Sequence, residues 1–461
     1  MKKLWDIIIG SFSGGERDYT SMGVRRAILL LSIPMVLEMG MEATFAIVDA
    51  FFVAKLGTAS VATVGLTESL LVAVYSIAWG LGIGATAVVA RRTGEKDAIG
   101  AREAAGQSVL IALVIGSLLA LPGMVFAPEL LGLMGASGDT IHEGSSYARI
   151  MFASNIVIML LFCINAVFRG KGFASMALWT LGLANLVNII LDPILIFGLG
   201  PFPEMGVTGA AVATTIGRTV GVLFQLHHLF RKNGAYALSF PDLRPLWNVV
   251  WNILKVSTGS IGQFLIASAS WTFLVRIVSE SGTDAQAGYT IAVRIIIFTL
   301  LPGWGMANAA ATLVGQNLGA GQADRAARSA WLCAHYNMVF MVVVAVIFWL
   351  FAPWIVSLFA QNPIADAYAV QALRVICLGY FFYGYGMVLA QAFNGAGDSL
   401  TPTLMNVVCF WMIEIPVAYV LAKTLGWGPL GVFASVAIGE SALAVLSAVL
   451  FQRGKWKTVK V

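Results

Sequence analysis

One half of this chain superimposes on the other at a fixed offset of 225 residues, and that repeat constrains the fold more than any other feature. Gly57 falls on Gly282, Thr58 on Thr283, Ala62 on Ala287, Trp79 on Trp304 and Gly80 on Gly305. Further along, Ala85 meets Ala310, Gly94 meets Gly319, Ala101 meets Ala326, Gly170 meets Gly395 and Gly172 meets Gly397. Paired alanines are common coincidences in an apolar chain; an aligned Trp-Gly pair and aligned loop glycines are not. Both halves are strings of apolar runs of about 20 residues, long enough to cross a hydrocarbon core about 30 Å thick. Two copies of one helical bundle imply a pseudo-twofold axis, with room for a site where the copies meet. Rocking one copy against the other is a physical route to alternating access, so the repeat points to a transporter.

Composition agrees with that class. The 461 residues are 59% hydrophobic and 11% charged, with a mean hydropathy of +0.85, well outside the soluble range. No soluble domain interrupts the apolar runs. Cys163, Cys333, Cys377 and Cys409 all lie inside such runs without metal-ligand or paired spacing, so neither a disulfide nor a structural metal is expected. The opening stretch MKKLWDIIIGSFSGGERDYTSMGVRR has an apolar stretch of about six residues that carries Asp6, and it lacks a small-residue cleavage site. It is expected to be an amphipathic arm on the cytoplasmic surface rather than a signal peptide.

The apolar pattern predicts an all-α polytopic membrane protein with twelve transmembrane helices, at 27–54, 62–90, 104–127, 147–168, 175–198 and 207–230, then 250–278, 286–314, 328–352, 368–392, 400–422 and 430–451. With the N-terminus inside, 21 of the 28 Lys and Arg residues are cytoplasmic. They lie in the N-terminal arm, the Arg91–Arg102 loop, Arg169 with Lys171, the Arg231–Lys255 stretch, Arg325 with Arg328, and the tail from Arg453 to Lys460. The positive-inside rule therefore places both termini in the cytoplasm. Six spans per half is an even number, so the two six-helix lobes are parallel, related by a pseudo-twofold along the membrane normal. The expected organisation is an arm at 1–26, an N-terminal lobe at 27–230, a linker at 231–249, a C-terminal lobe at 250–451 and a basic tail at 452–461. The net charge of +5 then belongs to the membrane surface, with the lipid bilayer and a small organic substrate as partners and no nucleic acid. The chain is expected to work as a monomer in the plasma (inner) membrane.

Ionisable residues within spans are costly, about 2.5–3.5 kcal/mol for an Asp at mid-span on an insertion scale. The first span holds Glu38, Glu42 and Asp49. At about 100° per residue the second and third lie about 40° and 20° around from the first. That narrow stripe must face protein or water. In the fifth span, NLVNIILDPIL, Asn188 and Asp192 are spaced i, i+4 and share a face, with Asn185 one turn earlier. Pro193 frees a backbone carbonyl nearby. Thr214 and Thr215 of the sixth span add hydroxyls. A carboxylate, an amide and hydroxyls make an oxygen-rich pocket for a proton or Na⁺, and a carboxyl group removed from water holds its proton more tightly.

The second half is not equivalent. Position 49 maps onto Leu274, and the seventh to tenth spans contain no acid. Glu414 lies two residues before Pro416, and Glu440 lies in the twelfth span. Arg218 and Glu440 each follow an equivalent glycine, Gly217 and Gly439, which leaves open an ion pair between them, snorkelling or separate local partners; with Glu414 they are candidate accessory charges. Tyr380, Tyr383 and Tyr385 in YFFYGYGM are candidate cavity residues together with Glu38, Glu42 and Asn185. Aromatic faces beside carboxylates suit organic cations.

Several segments resemble the multidrug and toxic compound extrusion (MATE) family: IVDAFFVAKLGTASVATVGL (47–66), ARRTGEKDAIGAREA (90–104), NIILDPILIFG (188–198), GVTGAAVATTIG (206–217), GQNLGAGQADRA (315–326) and NGAGDSLTPT (394–403). Each is weak alone; together, in order on twelve spans, they cover almost the whole chain. The resemblance implies an outward-facing V of two lobes that exchanges organic compounds, often cations, for H⁺ or Na⁺. It places Asp49, Asn188 and Asp192 at positions similar to the family's N-lobe ion site, with Thr214 or Thr215 as the hydroxyl. Another branch carries acids in the seventh and tenth spans; their absence here favours coupling in the N-terminal lobe. No cofactor beyond the coupling ion is implied.

Two other readings are weighed. A lipid-linked precursor flippase of the same superfamily would tend to fourteen spans and a cationic cavity for pyrophosphate; twelve spans and an acidic first helix oppose it. An intramembrane enzyme finds little support. GASG at 135–138 loosely matches a serine-protease motif but falls in an outer loop without a base. His227, His228 and His335 lack metal spacing, and no HExxH or Walker loop is present.

Overall fold

The glycines that mark the repeat start equivalent helices. Gly57 has φ +100° and Gly282 φ +107°, a region open to a residue without Cβ, and each precedes the second helix of its half. The computed structural model describes residues 2–13, 15, 17–232, 234, 236–359 and 362–461. The N-terminal half comprises α1 (Lys2–Phe12), α2 (Val24–Ala54), α3 (Thr58–Gly94), α4 (Ala98–Val125), the short α5 (Ala127–Leu133), α6 (Gly138–Ala153), α7 (Asn155–Lys171), α8 (Ala174–Phe197) and α9 (Gly206–Phe230). The C-terminal half comprises α10 (Trp247–Ser279), α11 (Thr283–Gly319), α12 (Ala323–Ser357), α13 (Pro363–Ile376), α14 (Tyr380–Gly395), α15 (Leu400–Asn406), α16 (Ile415–Tyr419) and α17 (Pro429–Gln452). Twelve helical stretches among the described residues are long and apolar enough to span a membrane. Six fall in each half, so the fold is all-α with two lobes, as the apolar pattern predicts.

The spans run several residues beyond the predicted ends at the basic loops. The second reaches Gly94 and the third begins at Ala98, because Asp97 accepts the Gly100 amide and caps α4 in mid-loop. Two spans are interrupted at one repeat position: Ser154 separates α6 from α7, and a 3₁₀ turn at Cys377–Gly379 separates α13 from α14. The eleventh span is irregular, with π-helical stretches at Val407–Glu414 and Val420–Thr424. Its counterpart α8 is a regular helix.

Between helices in lipid there is little hydrophobic drive, so close backbone approach at small residues holds them together. The repeat glycines supply that approach across the lobe boundary. A Cβ on Gly80 would lie 2.4 Å from Ile261 Cγ1, and one on Gly305 would lie 2.6 Å from the Val36 Cα. Closer to the basic end, a Cβ on Gly94 would lie 1.9 Å from the Gln316 carbonyl oxygen and one on Gly319 2.1 Å from that of Arg91. These contacts are reciprocal: Gly80 and Gly305, Val36 and Ile261, Gly94 and Gly319, and Arg91 and Gln316 are all repeat partners.

The lobes also exchange helix ends. Ala27, Ile28, Leu31 and Met35 of α2 belong to the C-terminal core, whereas Val250 and Ile253 of α10 belong to the N-terminal core. The first span of each lobe thus crosses to its neighbour at the basic end. That crossing does not follow from span order. The four cysteines are buried and free.

Candidate functional site

Where α8 and α9 lie side by side, a polar cluster is set into the N-terminal lobe. The Asn188 amide donates to Asp192 Oδ1 and to the Thr214 hydroxyl, each over 3.2 Å. Gly217 makes that approach possible, since a Cβ there would lie 2.6 Å from the Ala184 carbonyl and 3.1 Å from Asn188 Cβ. Asp192 is fully buried, Asn188 nearly so, and Thr214 is 6% exposed. Asp49 of α2 is half-buried, and its charge acts on Asp192. Three buried oxygens have no hydrogen-bond partner among the described residues: Asp49 Oδ1, Asn188 Oδ1 and Asp192 Oδ2. Buried acceptors are normally satisfied, so these unsatisfied oxygens suit a cation. Asn185 lies one turn away and donates to the Met41 carbonyl over 3.1 Å, tying α8 to α2. The Thr215 hydroxyl instead bonds the Ala211 carbonyl of its own helix at 2.7 Å and is turned from the cluster.

A cation already sits beside these acids. The Arg218 guanidinium donates to the Tyr75 hydroxyl over 3.1 Å and stacks at 5.6 Å from the Phe45 ring centre and 5.8 Å from that of Tyr75. Its charge acts on Glu42, Asp49 and Glu68. Arg218 and Glu440 therefore have separate partners, one in each lobe. Glu68 is a participant that the sequence reading missed. It lies inside the second span, in GLTESLL, and the cost argument applied to the first span would have found it. Arg294 of α11, in the other lobe, acts on it from across the molecule.

Glu38 shares the stripe of Asp49 but not its depth. Eleven residues along a helix correspond to about 16 Å. Glu38 lies 1% exposed and pairs with Arg169 at 2.7 Å, with Asn165 at 3.4 Å. Asn165 in turn accepts from Gln225 at 2.6 Å. This buried network joins α2, α7 and α9, with Glu38 Oε2 and Gln225 Oε1 left without a hydrogen-bond partner among the described residues.

In the C-terminal lobe the candidate tyrosines differ among themselves. Tyr380 is fully buried against Phe348 and opens onto no cavity. Tyr383 is partly exposed and interacts with Glu440. Tyr385 packs edge-on against His335 at 5.3 Å. Glu414 accepts from the Ser270 hydroxyl at 3.4 Å. Among the described residues no group of three His, Cys, Asp or Glu side chains has metal-site geometry.

Comparison with known proteins places this architecture. The chain is 25% identical to the probable multidrug resistance protein NorM of Thermotoga maritima, over 94% of this chain and 93% of that one. A MOP superfamily transporter from Pyrococcus furiosus has the same fold, with a TM-score of 0.90 at 26% identity over 96% of this chain and 98% of that one. The outward-facing conformation of a multidrug resistance MATE family transporter superimposes with a TM-score of 0.88 at 27% identity, over 95% and 96%. The MatE family model matches twice, at residues 34–194 and 260–420, once in each lobe, and the chain belongs to that family of multidrug and toxic compound extrusion transporters.

Proposed function

We propose that this protein is a secondary active antiporter that exports organic, cationic or amphipathic compounds in exchange for H⁺ or Na⁺, coupled in the N-terminal lobe. The observation that carries the reading is the set of three unsatisfied oxygens on Asp49, Asn188 and Asp192. Two carboxylates in one poorly hydrated site repel each other, and a bound cation relieves that repulsion. The basic end, read as cytoplasmic by the positive-inside rule, is where the lobes are pinned, so this conformation corresponds to the outward-facing state. In it Asp49 and Asp192 exchange an ion with the outside while cargo leaves; reorientation presents the cleft to cytoplasmic cargo and releases the ion inside. Trp79 and Phe264, edge to face at 5.2 Å where the lobes meet, offer an aromatic surface for organic cargo. The acidic groups of the N-terminal lobe fit a cationic compound better than the pyrophosphate of a flippase substrate. One charge crossing 100 mV contributes about 2.3 kcal/mol and a tenfold ion gradient about 1.4 more, enough to sustain roughly a few hundredfold gradient of an uncharged cargo; a monovalent cation exchanged one for one moves no net charge and keeps about the tenfold part.

The test is transport of a fluorescent organic cation in inverted vesicles, with a pH gradient or a Na⁺ gradient imposed separately. Transport driven by one gradient and abolished by Asp49→Asn or Asp192→Asn is the expected result, and it names the ion. Ion-driven transport at full rate in Asp49→Asn would remove the assignment.

A further inference from the structure

Two carboxylates of the C-terminal lobe have no part in the scheme above. Glu414 ends the π-helical stretch of the eleventh span and Glu440 lies in α17; they are 2% and 6% exposed. Glu414 passes over the bare backbone of Gly439, where a Cβ would lie 2.8 Å from Glu414 Cβ and 3.2 Å from its carboxyl carbon. The glycine makes room for one acid immediately before the other in sequence, and the charge of Glu440 acts on Glu414. Ser270 donates to Glu414, and Tyr383 acts on Glu440. Tyr289 of α11 is 1% exposed, its hydroxyl has no hydrogen-bond partner among the described residues, and the charge acting on it is that of Glu414. No basic side chain among the described residues acts on either acid.

Two bare charges in such a place would each carry a large desolvation penalty, and like charges sharing one site do not both ionise. We propose that Glu414 and Glu440 form a proton-binding pair in the C-terminal lobe, which takes up and releases a proton during the transport cycle. The proton moves between water and a carboxylate oxygen, with no other bond made or broken. Tyr383, the partly exposed member, is the pair's link to water. The titratable groups around the pair are Tyr289 on α11, Tyr380 and Tyr383 on α14, and Cys409 on the π-helical stretch; α10 contributes the neutral Ser270. A π-helical turn is a recurrent mark of functional sites, and among the described residues it occurs in the span that carries Glu414, with a regular helix at the equivalent place in the other lobe. The pair stands independently of the ion assignment made for Asp49 and Asp192.

Infrared difference spectroscopy of the full chain in lipid tests it, by following the carbonyl band of protonated carboxyl groups through steps of pH. Asp49→Asn with Asp192→Asn as background removes the two carboxyl groups assigned to the ion, while Glu38, Glu42 and Glu68 remain as a constant contribution. The expected result is a titrating component of the band that persists in this background and is lost when Glu414→Gln or Glu440→Gln is added. Tyr383→Phe, which keeps both carboxyl groups, should displace its midpoint and serves as the probe where a Gln variant melts abnormally. The proposal is overturned if neither Gln variant nor Tyr383→Phe alters the band. It is equally overturned if the band is present but fixed at every pH, or if Na⁺ at constant pH displaces it. Because the readout is proton binding rather than transport, its failure leaves the antiport assignment standing, and the converse also holds.

Discussion

Glu38 and Asp49 occupy the same stripe of one helix and do different work, because the partners available at each depth differ. At the depth of Glu38, Arg169 is 2.7 Å away and the amides of Asn165 and Gln225 extend the network. Breaking one partner of a buried ion pair strands the other, a loss of about 3–5 kcal/mol. Glu38→Gln should therefore lower the thermal melting point of the purified protein, and Glu38→Gln with Arg169→Gln should recover much of the loss. At the depth of Asp49 the hydroxyls also separate. Thr214 holds Asn188 at 3.2 Å, whereas Thr215 is bound to its own helix at 2.7 Å. Loss of one hydrogen bond of about 1 kcal/mol corresponds to roughly fivefold in affinity. Thr214→Val should weaken the apparent affinity for the coupling ion by about that factor, measured by ion-dependent transport, and Thr215→Val should leave it unchanged. The acids of the first and fifth spans were legible in the sequence because a charge in a span needs a reason. Their partners were not: Arg169 lies 131 residues from Glu38, and helical periodicity fixes a face without fixing which helix it meets.

At the scale of elements, the apolar pattern foretold twelve spans and the repeat the two matched sets of glycines, since a side-chain-free position kept in both copies marks a place where both copies need it. It did not foretell the interruption at Ser154 and Gly379, nor the π-helical eleventh span, because these leave no gap in hydropathy. The crossing of α2 and α10 into the opposite lobes was hidden for a related reason: the amphipathic pattern of a span is the same whichever lobe it packs on. The glycines allow a direct test. A Cβ on Gly94 would stand 1.9 Å from a backbone oxygen of α11, whereas one on Gly65 meets nothing within 4 Å. Gly94→Ala should force the basic ends apart and Gly65→Ala should not. Ala90 is fully buried at that junction, so Ala90→Cys, with the four native cysteines replaced, should react with maleimide far faster in the Gly94→Ala background.

Across the whole molecule a symmetric junction holds together two lobes of unlike chemistry. Arg91 of α3 donates to the Ala396 carbonyl at 3.2 Å and to the Val459 carbonyl of the tail at 2.9 Å. Its repeat partner Gln316 of α11 donates to the Gly170 carbonyl at 2.8 Å. Each thus reaches the far end of the opposite lobe's fourth span, and the tail is bound into one of the two. Charge-assisted bonds contribute about 1.5–3 kcal/mol each and a neutral one about 0.5–1.5. Three together approach the ~5.5 kcal/mol that separates a 99:1 from a 1:99 distribution of two states. Arg91→Ala with Gln316→Ala should therefore populate conformations open at the basic end without any change of ion or cargo, and Arg91→Ala should shift the distribution further than Gln316→Ala, since it removes two charge-assisted bonds against one neutral bond. Distance distributions between spin labels on the basic ends of α4 and α12 would report the shift. If the double variant kept the wild-type distribution, the glycine contacts alone would be holding this end shut, and the polar bonds would serve only to satisfy buried carbonyls.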